Sequence, residues 1–341
     1  GDSTGVDGQT IAYGSASITA TKDASSADPV ILVDNQSVVA AAFKFDAITS
    51  GYNVTDLTFT LANTTVAQTF ELYDGTTLIG SKPGSASPIS FSGLSWNIPA
   101  NTNKVLTVKL VLGSIGVGAG TSGASQLVTL TDFKATNTST GVNAAGTESD
   151  PAGSAMYAYA ATPTITRGTL PSTVLSTGTQ TIAKFSVASN SGTIGWKKMI
   201  FTVSRAIGGT DTLSNTKLYD ADTSVEVTGT ATYSGGIEAD NGTSGTIIFV
   251  ATNEQQISGS KNYVLKTDIA GTLATGNNIN VSIAQPSSYA APAAYATVAA
   301  TSASFVWSDV SASSHSTSTT DWSNGYLVKT LPTDTQTLIF N

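Results

Sequence analysis

The chain has no cysteine in its 341 residues, so neither disulfides nor thiolate metal sites can hold its fold, and Cys pairing says nothing of its compartment. Charge is scarce as well. Asp, Glu, Lys and Arg make up 11% of the residues, with 15 basic against 23 acidic and a formal net charge of −8. No basic run occurs anywhere, which argues against nucleic acid as a partner, because phosphate binding draws on clustered Lys and Arg. Long apolar runs are missing too: no stretch of about 18 apolar residues suggests a transmembrane helix. No signal peptide opens the chain, so a mature or trimmed product is expected. Helical periodicity is hard to find. The best Ala-rich candidate, residues 289–300, is interrupted by Pro292 and carries β-branched Thr297 and Val298.

Ser and Thr fill much of the remaining space, at 97 of the 341 residues. Low charge with so many hydroxyls could mean disorder, but hydrophobics at 40% and a clear alternation argue for β structure whose polar face is built from hydroxyls. Alternating segments fall at 57–61, 105–112, 127–130, 182–187, 199–203, 246–250, 263–269 and 279–283. Clusters such as Tyr73-Asp74-Gly75 and Asp240-Asn241-Gly242 punctuate them as turns.

The chain also nearly repeats itself. Phe43 and Phe59 recur as Phe185 and Phe201, each 142 residues later, and Tyr73-Asp74 recurs as Tyr219-Asp220 at 146. A period this long is a whole domain rather than a solenoid unit. Seven or so short strands per copy, with turns every 8 to 12 residues, predict an all-β fold of two tandem immunoglobulin-like sandwiches with extended terminal strands. The expected division is an N-terminal strand segment at 1–14, sandwiches at 15–161 and 162–301, and a C-terminal strand segment at 302–341.

These boundaries rest on a junction passage that recurs. Tyr157-Ala158-Tyr159 precedes Pro163-Thr164-Ile165, and a similar passage returns at 295–306 and at Ile11-Ala12-Tyr13 before Ile18. Residues 1–14 then resemble the end of a module and 302–341 the opening of one, so both ends are expected to be orphan strands. An orphan strand exposes backbone donors and acceptors that can add to a neighbour's sheet. The alternative is that the ends fold back on their own domains. The candidate assembly residues are Ile11, Tyr13 and Ile18 at one end, and Tyr326, Leu327, Val328, Leu338, Ile339 and Phe340 at the other.

Candidates for chemistry are few. His315, the one histidine, lies in a hydroxyl-rich stretch without the oriented carboxylate and oxyanion site that triad catalysis requires, so it is read as a loop residue. Asp220 with Asp222 and Glu238 with Asp240 are candidate calcium ligands, though both pairs lie in apparent turns and no EF-hand loop is present. No other cofactor is expected. Six Asn-x-Ser/Thr sequons, at Asn35, Asn53, Asn63, Asn137, Asn241 and Asn280, leave glycans open as partners without arguing for them. Trp96, Trp196, Trp307 and Trp322 could stack on sugars, but they are scattered, and a core role is the simpler expectation.

The C-terminal segment reads Phe305-Val306-Trp307-Ser308-Asp309, then Ser311-Ala312-Ser313-Ser314-His315-Ser316, then Asp321-Trp322-Ser323-Asn324-Gly325-Tyr326-Leu327-Val328-Lys329-Thr330-Leu331-Pro332. It resembles the terminal signature of large secreted surface proteins of ultra-small candidate-phylum bacteria, in which tandem β-sandwich modules precede a closing motif. The resemblance implies an extracellular, cell-surface protein with a native C-terminus, and it carries over no site residue. The sequence therefore leads to a non-enzymatic structural protein that self-assembles into a surface filament or layer, with strand exchange between subunits as the expected route. The alternative is a monomeric adhesin or carbohydrate-binding stalk.

Overall fold

The computed structural model describes residues 15–206, 210–239, 242–301 and 303–341. In the first half the strands are β1 (Ser17–Lys22), β2 (Val30–Val33), β3 (Ser37–Ile48), β4 (Tyr52–Leu61), β5 (Ala67–Asp74), β6 (Thr77–Pro83) and β7 (Ile89–Phe91). They continue with β8 (Trp96–Ile98), β9 (Thr102–Leu112), β10 (Ala124–Ser125), β11 (Val128–Asn137), β12 (Asn143–Ala145) and β13 (Met156–Tyr159). The second half holds β14 (Pro163–Arg167), β15 (Gly178–Ser189), β16 (Ile194–Ala206), β17 (Thr212–Asp220), β18 (Glu226–Val227) and β19 (Gly229–Ser234). It ends with β20 (Ser244–Ile257), β21 (Ser260–Ala270), β22 (Asn278–Ser282), β23 (Phe305–Ser308), β24 (Trp322–Asn324) and β25 (Gln336–Ile339). The five-residue helix α1 (Tyr295–Ala299) begins after Pro292, within the Ala-rich stretch where no long helix was expected.

The fold is all-β, and each copy is a two-sheet sandwich. In the first, one sheet runs β1-β3-β9-β5-β6 and the other β12-β11-β4-β7, with β8 also on β4. In the second, the sheets run β14-β15-β21-β17-β18 and β19-β20-β16-β22-β25. In chain order these are the A-B-E-D and C-F-G arrangements of an immunoglobulin-like sandwich, with extra strands inserted between D and E.

The repeat extends to the irregularities. The pairing of β3 with β9 slips between Val39 and Ala41, leaving Ala40 as the extra residue, and β15 slips against β21 between Thr181 and Ala183 around Ile182. Ala40 and Ile182 stand at the 142 offset. A second pair of bulges, at Thr55 of β4 against β11 and Lys197 of β16 against β23, keeps the same offset. A bulge inserts one residue and so reverses which face the following side chains occupy. That is why the core positions of β4 run Tyr52, Val54, then Leu57, Phe59 and Leu61, and those of β16 run Trp196, then Met199, Phe201 and Val203. The aromatic pairs they deliver are equivalent too: Phe43 and Phe59 lie 5.9 Å apart, Phe185 and Phe201 5.6 Å.

The chain divides into two compact units that do not follow the contiguous boundary expected at 161. Among the described residues, unit 1 comprises 15–28, 37–111 and 126–155, and unit 2 comprises 29–36, 112–125 and those from 156 to 341. β2 and β10, which interrupt the first module's sequence, therefore belong to unit 2. There they flank β13 in a three-stranded sheet, β10-β13-β2, in which β2 runs parallel to β13.

Candidate assembly site

The closing strands decide whether either sandwich has a vacant place for a neighbour's strand. In unit 1, β12 pairs with β11, and the chain then runs parallel to β1: the Ala20 N–H donates to the Thr147 carbonyl at 3.1 Å and the Thr147 N–H to that of Ile18 at 3.4 Å. Unit 2 is closed in the same way by β25. It pairs antiparallel with β22, Leu338 opposite Ile279, and then runs parallel to residues 173–175. Here the Ile339 N–H donates to the Thr173 carbonyl and the Leu175 N–H to the Ile339 carbonyl, both at 2.8 Å.

The expectation of an orphan C-terminal strand is thus corrected; the C-terminal segment folds back on its own domain. The reason is chemical fit. Leu338 is 1% exposed in the core, and the Gln336 side chain grips the backbone of Lys184, accepting its N–H at 2.9 Å and donating to its carbonyl at 3.0 Å.

The other candidate residues are placed as follows. Ile18 is a core residue, 2% exposed, so it is not a free donor. Tyr326 and Leu327 lie in a turn rather than a strand, Leu327 with φ 59°, and Val328 closes that turn with its N–H on the Gly325 carbonyl at 3.2 Å and is buried. Ile339 is 41% exposed and Phe340 is half-buried against the core. Ile11 and Tyr13 lie outside the described residues.

Between β22 and β25 the sequence inserts residues 283–335, which form the surroundings of β13. Tyr159 is fully buried there, its ring 4.8 Å from Trp307 and its hydroxyl 2.9 Å from that of Ser323. Asp309 is buried beside it, accepting from the Ala160 N–H and the Ser122 hydroxyl at 2.9 Å each, and from Ser311 at 2.7 Å. Burial pushes the Asp309 carboxyl above its ordinary value, against the pull of those hydrogen bonds. The strand that leads into β14 is therefore both sheet-bonded and core-packed.

Sequence reasoning missed the partners of His315. Its Nδ1 lies 2.8 Å from Asp321 Oδ2, and its Nε2 lies 3.0 Å from both oxygens of Glu254, 61 residues away on β20. Each ring nitrogen thus faces a carboxylate, and the Thr319 hydroxyl also lies 3.4 Å from Nδ1. Burial works against ionisation of Asp321, but the Thr319 hydroxyl, the His315 charge and the Ala312 N–H together hold its carboxyl below the ordinary value. Gly195 makes room for Glu254: a Cβ there would collide with its carboxylate. No local pattern could have announced this cluster, because its members come from β16, β20 and the inserted loop.

The calcium candidates are engaged in turns. Asp220 accepts from the N–H groups of Asp222 and Thr223, each at 3.0 Å, and Asp222 accepts from the Asn262 amide at 3.0 and 3.1 Å. Glu238 is exposed in a turn, and Asp240 lies outside the described residues. Among the described residues no three His, Asp or Glu side chains come together as a metal would require. All four tryptophans are buried, Trp96 at 3% and the others at 0%, so none offers a surface for sugar stacking.

No protein-family model matches this sequence, and no curated protein does. Among solved structures, the chain aligns with the C-terminal domain of the Streptococcus agalactiae AgI/II polypeptide BspA at 8% identity and a TM-score of 0.21, over 79% of this chain and 95% of that one. It aligns with a 35 kDa C-terminal fragment of the major pilin GBS80 of Streptococcus agalactiae at 9% identity and 0.25, over 81% and 88%. A third alignment is with the RrgB pilus protein of Streptococcus pneumoniae at 11% identity and 0.20, over 70% and 41%. Scores this low carry no argument about function, and the fold is read from the strand order and register above.

Proposed function

We propose that this chain is an extracellular structural protein of a cell surface, which self-assembles into a filament or layer of tandem sandwiches. The observation that carries the reading is β13. Within unit 2 this strand is hydrogen-bonded on both edges, by β10 and β2, and anchored through the buried Tyr159. A protein that bears load gains from such a strand, because pulling it out of unit 2 would break a ladder of backbone bonds and expose a buried aromatic. The low-charge, hydroxyl-rich composition supports close packing between copies, since few ions would have to be desolvated. The C-terminal resemblance to secreted surface proteins supports the location. Each sandwich keeps its own closing strand in this reading, so copies meet end to end without opening one another.

Negative-stain electron microscopy and sedimentation velocity of the purified chain, with and without calcium, test it. Ordered polymers are the expected outcome. Uniform monomers in both conditions would overturn self-assembly and make glycan-binding assays the next step toward the adhesin alternative.

A further inference from the structure

The oxidisable side chains of this protein are unevenly exposed. Cysteine is absent, Met156 and Met199 are both buried, and so are all four tryptophans. Tyrosine is therefore the readily oxidised side chain that a reagent in solution meets first. Among the described residues, Tyr157 of β13, Tyr289 and Tyr326 come together within unit 2, each half-buried.

One pair in this cluster stands in direct face-to-face contact. The Tyr157 and Tyr289 rings lie with centroids 3.6 Å apart and planes 12° from parallel, whereas Tyr157 and Tyr326 meet edge-on at 6.4 Å. Aromatic pairs that merely pack prefer offset or edge-to-face arrangements with centroids about 4.5–7 Å apart. In the closer stack, ring carbons of one phenol are in van der Waals contact with ring carbons of the other.

Both partners are held in place. Tyr157 is fixed in β13, with β10 and β2 on its two edges. The Tyr289 hydroxyl donates to the Gly123 carbonyl at 2.6 Å, and the Ser288 carbonyl accepts from the Asn324 amide at 2.9 Å. Gly123 leaves the room for this: it stands at φ 68°, and a Cβ there would lie 2.6 Å from the Tyr289 hydroxyl oxygen and collide with Pro292. Burial raises both phenols above their ordinary value, Tyr289 to about 12, so at neutral pH each must release a proton together with the electron it gives up.

We propose that Tyr157 and Tyr289 are a site of oxidative cross-linking, joined within one chain as a dityrosine by a peroxidase acting with hydrogen peroxide. Each phenol loses one electron and one proton, and the two radicals form a carbon–carbon bond between ring positions adjacent to the hydroxyls. Those two carbons then shed their hydrogens as protons while the oxygens regain protons from solvent. The linked pair keeps two phenol groups, and the chain is lighter by two hydrogens. One peroxide takes up the two electrons and two protons and leaves as two waters. Position supplies the selectivity, because groups held in contact couple far faster than groups that must meet by diffusion. The bond staples β13 to the segment between β22 and β25, 132 residues further along the chain. It forms within unit 2 and does not depend on self-assembly.

The chain, dilute enough that copies rarely collide, is treated with a peroxidase and limiting hydrogen peroxide, then analysed by size, intact mass and peptide mapping. A monomer two hydrogens lighter is expected, with the blue fluorescence of dityrosine and a linked peptide pair containing Tyr157 and Tyr289. Tyr157→Phe and Tyr289→Phe each keep the ring but remove the phenol, and each should lower the yield of linked monomer about tenfold or more. Tyr326→Phe should leave that yield unchanged, and circular dichroism checks that all three variants fold. In the linked parent the urea midpoint of unit 2 should move upward, because the bond closes a long loop in the unfolded chain. Oxidation that gives no link, links only between copies, or a link to Tyr326 instead would overturn the proposal. So would a linked monomer that persists in both Tyr157→Phe and Tyr289→Phe.

Discussion

Asp309 and Asp321 sit close together in the inserted segment, yet their environments push them in opposite directions. Burial raises the Asp309 carboxyl above its ordinary 3.8, so its contribution to stability is present in acid and is lost as pH rises through the folded value. Asp321 is held below 3.8, so its contribution is present above the unfolded carboxyl range and is lost as pH falls through the lowered folded value. Carboxyl-detected NMR titration should therefore place the Asp309 midpoint above 3.8 and that of Asp321 below it; coincident midpoints would contradict the two environments. Arg205 is the other residue whose surroundings matter. Its fully buried guanidinium donates to the carbonyls of Ile237, Ala239, Asp211 and Gly242, and lies 3.8 Å from the Asp211 carboxylate. Arg205→Met should cost unit 2 about 3–5 kcal/mol, because four carbonyls and a buried carboxylate lose their partner. Urea unfolding followed by tryptophan fluorescence would read this, since three of the four tryptophans lie in unit 2.

At the scale of elements, the closing strand shows how composition and topology divide the work. β25 alternates Gln336, Thr337, Leu338 and Ile339; Leu338 is its apolar core residue, while Gln336 supplies the acceptor for the Lys184 N–H and shares the Lys184 carbonyl with the Gly168 N–H. Leu338→Ala should destabilise unit 2 by about 2–5 kcal/mol through a cavity between the sheets. Hydrogen exchange should then quicken in β22 and in residues 173–175 while β11 and β12 stay as protected as in the parent. Equal loosening of both sandwiches would mean that the strand does not belong to one unit alone. The strands around it were legible in advance, since 199–203 and 279–283 follow from alternation, but the bulges of β4 and β16 were not. The destination of residues 336–339 was not legible, because a short alternating strand carries no mark of which edge it will join.

For the whole molecule, the expected behaviour is assembly by ends. Removing residues 1–14 is expected to abolish polymers seen by electron microscopy while leaving both sandwiches folded by circular dichroism. Normal polymers from the shortened chain would count against any role for that segment. With copies of net charge −8, moderate salt should ease association slightly by screening their repulsion rather than weaken it.

By itself the sequence determined the fold class, the internal repeat and the approximate strands, because these follow from periodicity and recurrence, which are local or additive. Tertiary structure alone decided that β2 and β10 belong with unit 2, that Glu254 crosses 61 residues to meet His315, and that residues 336–339 close their own sandwich. The reason is physical: strand pairing and side-chain burial depend on which distant backbone supplies the next edge.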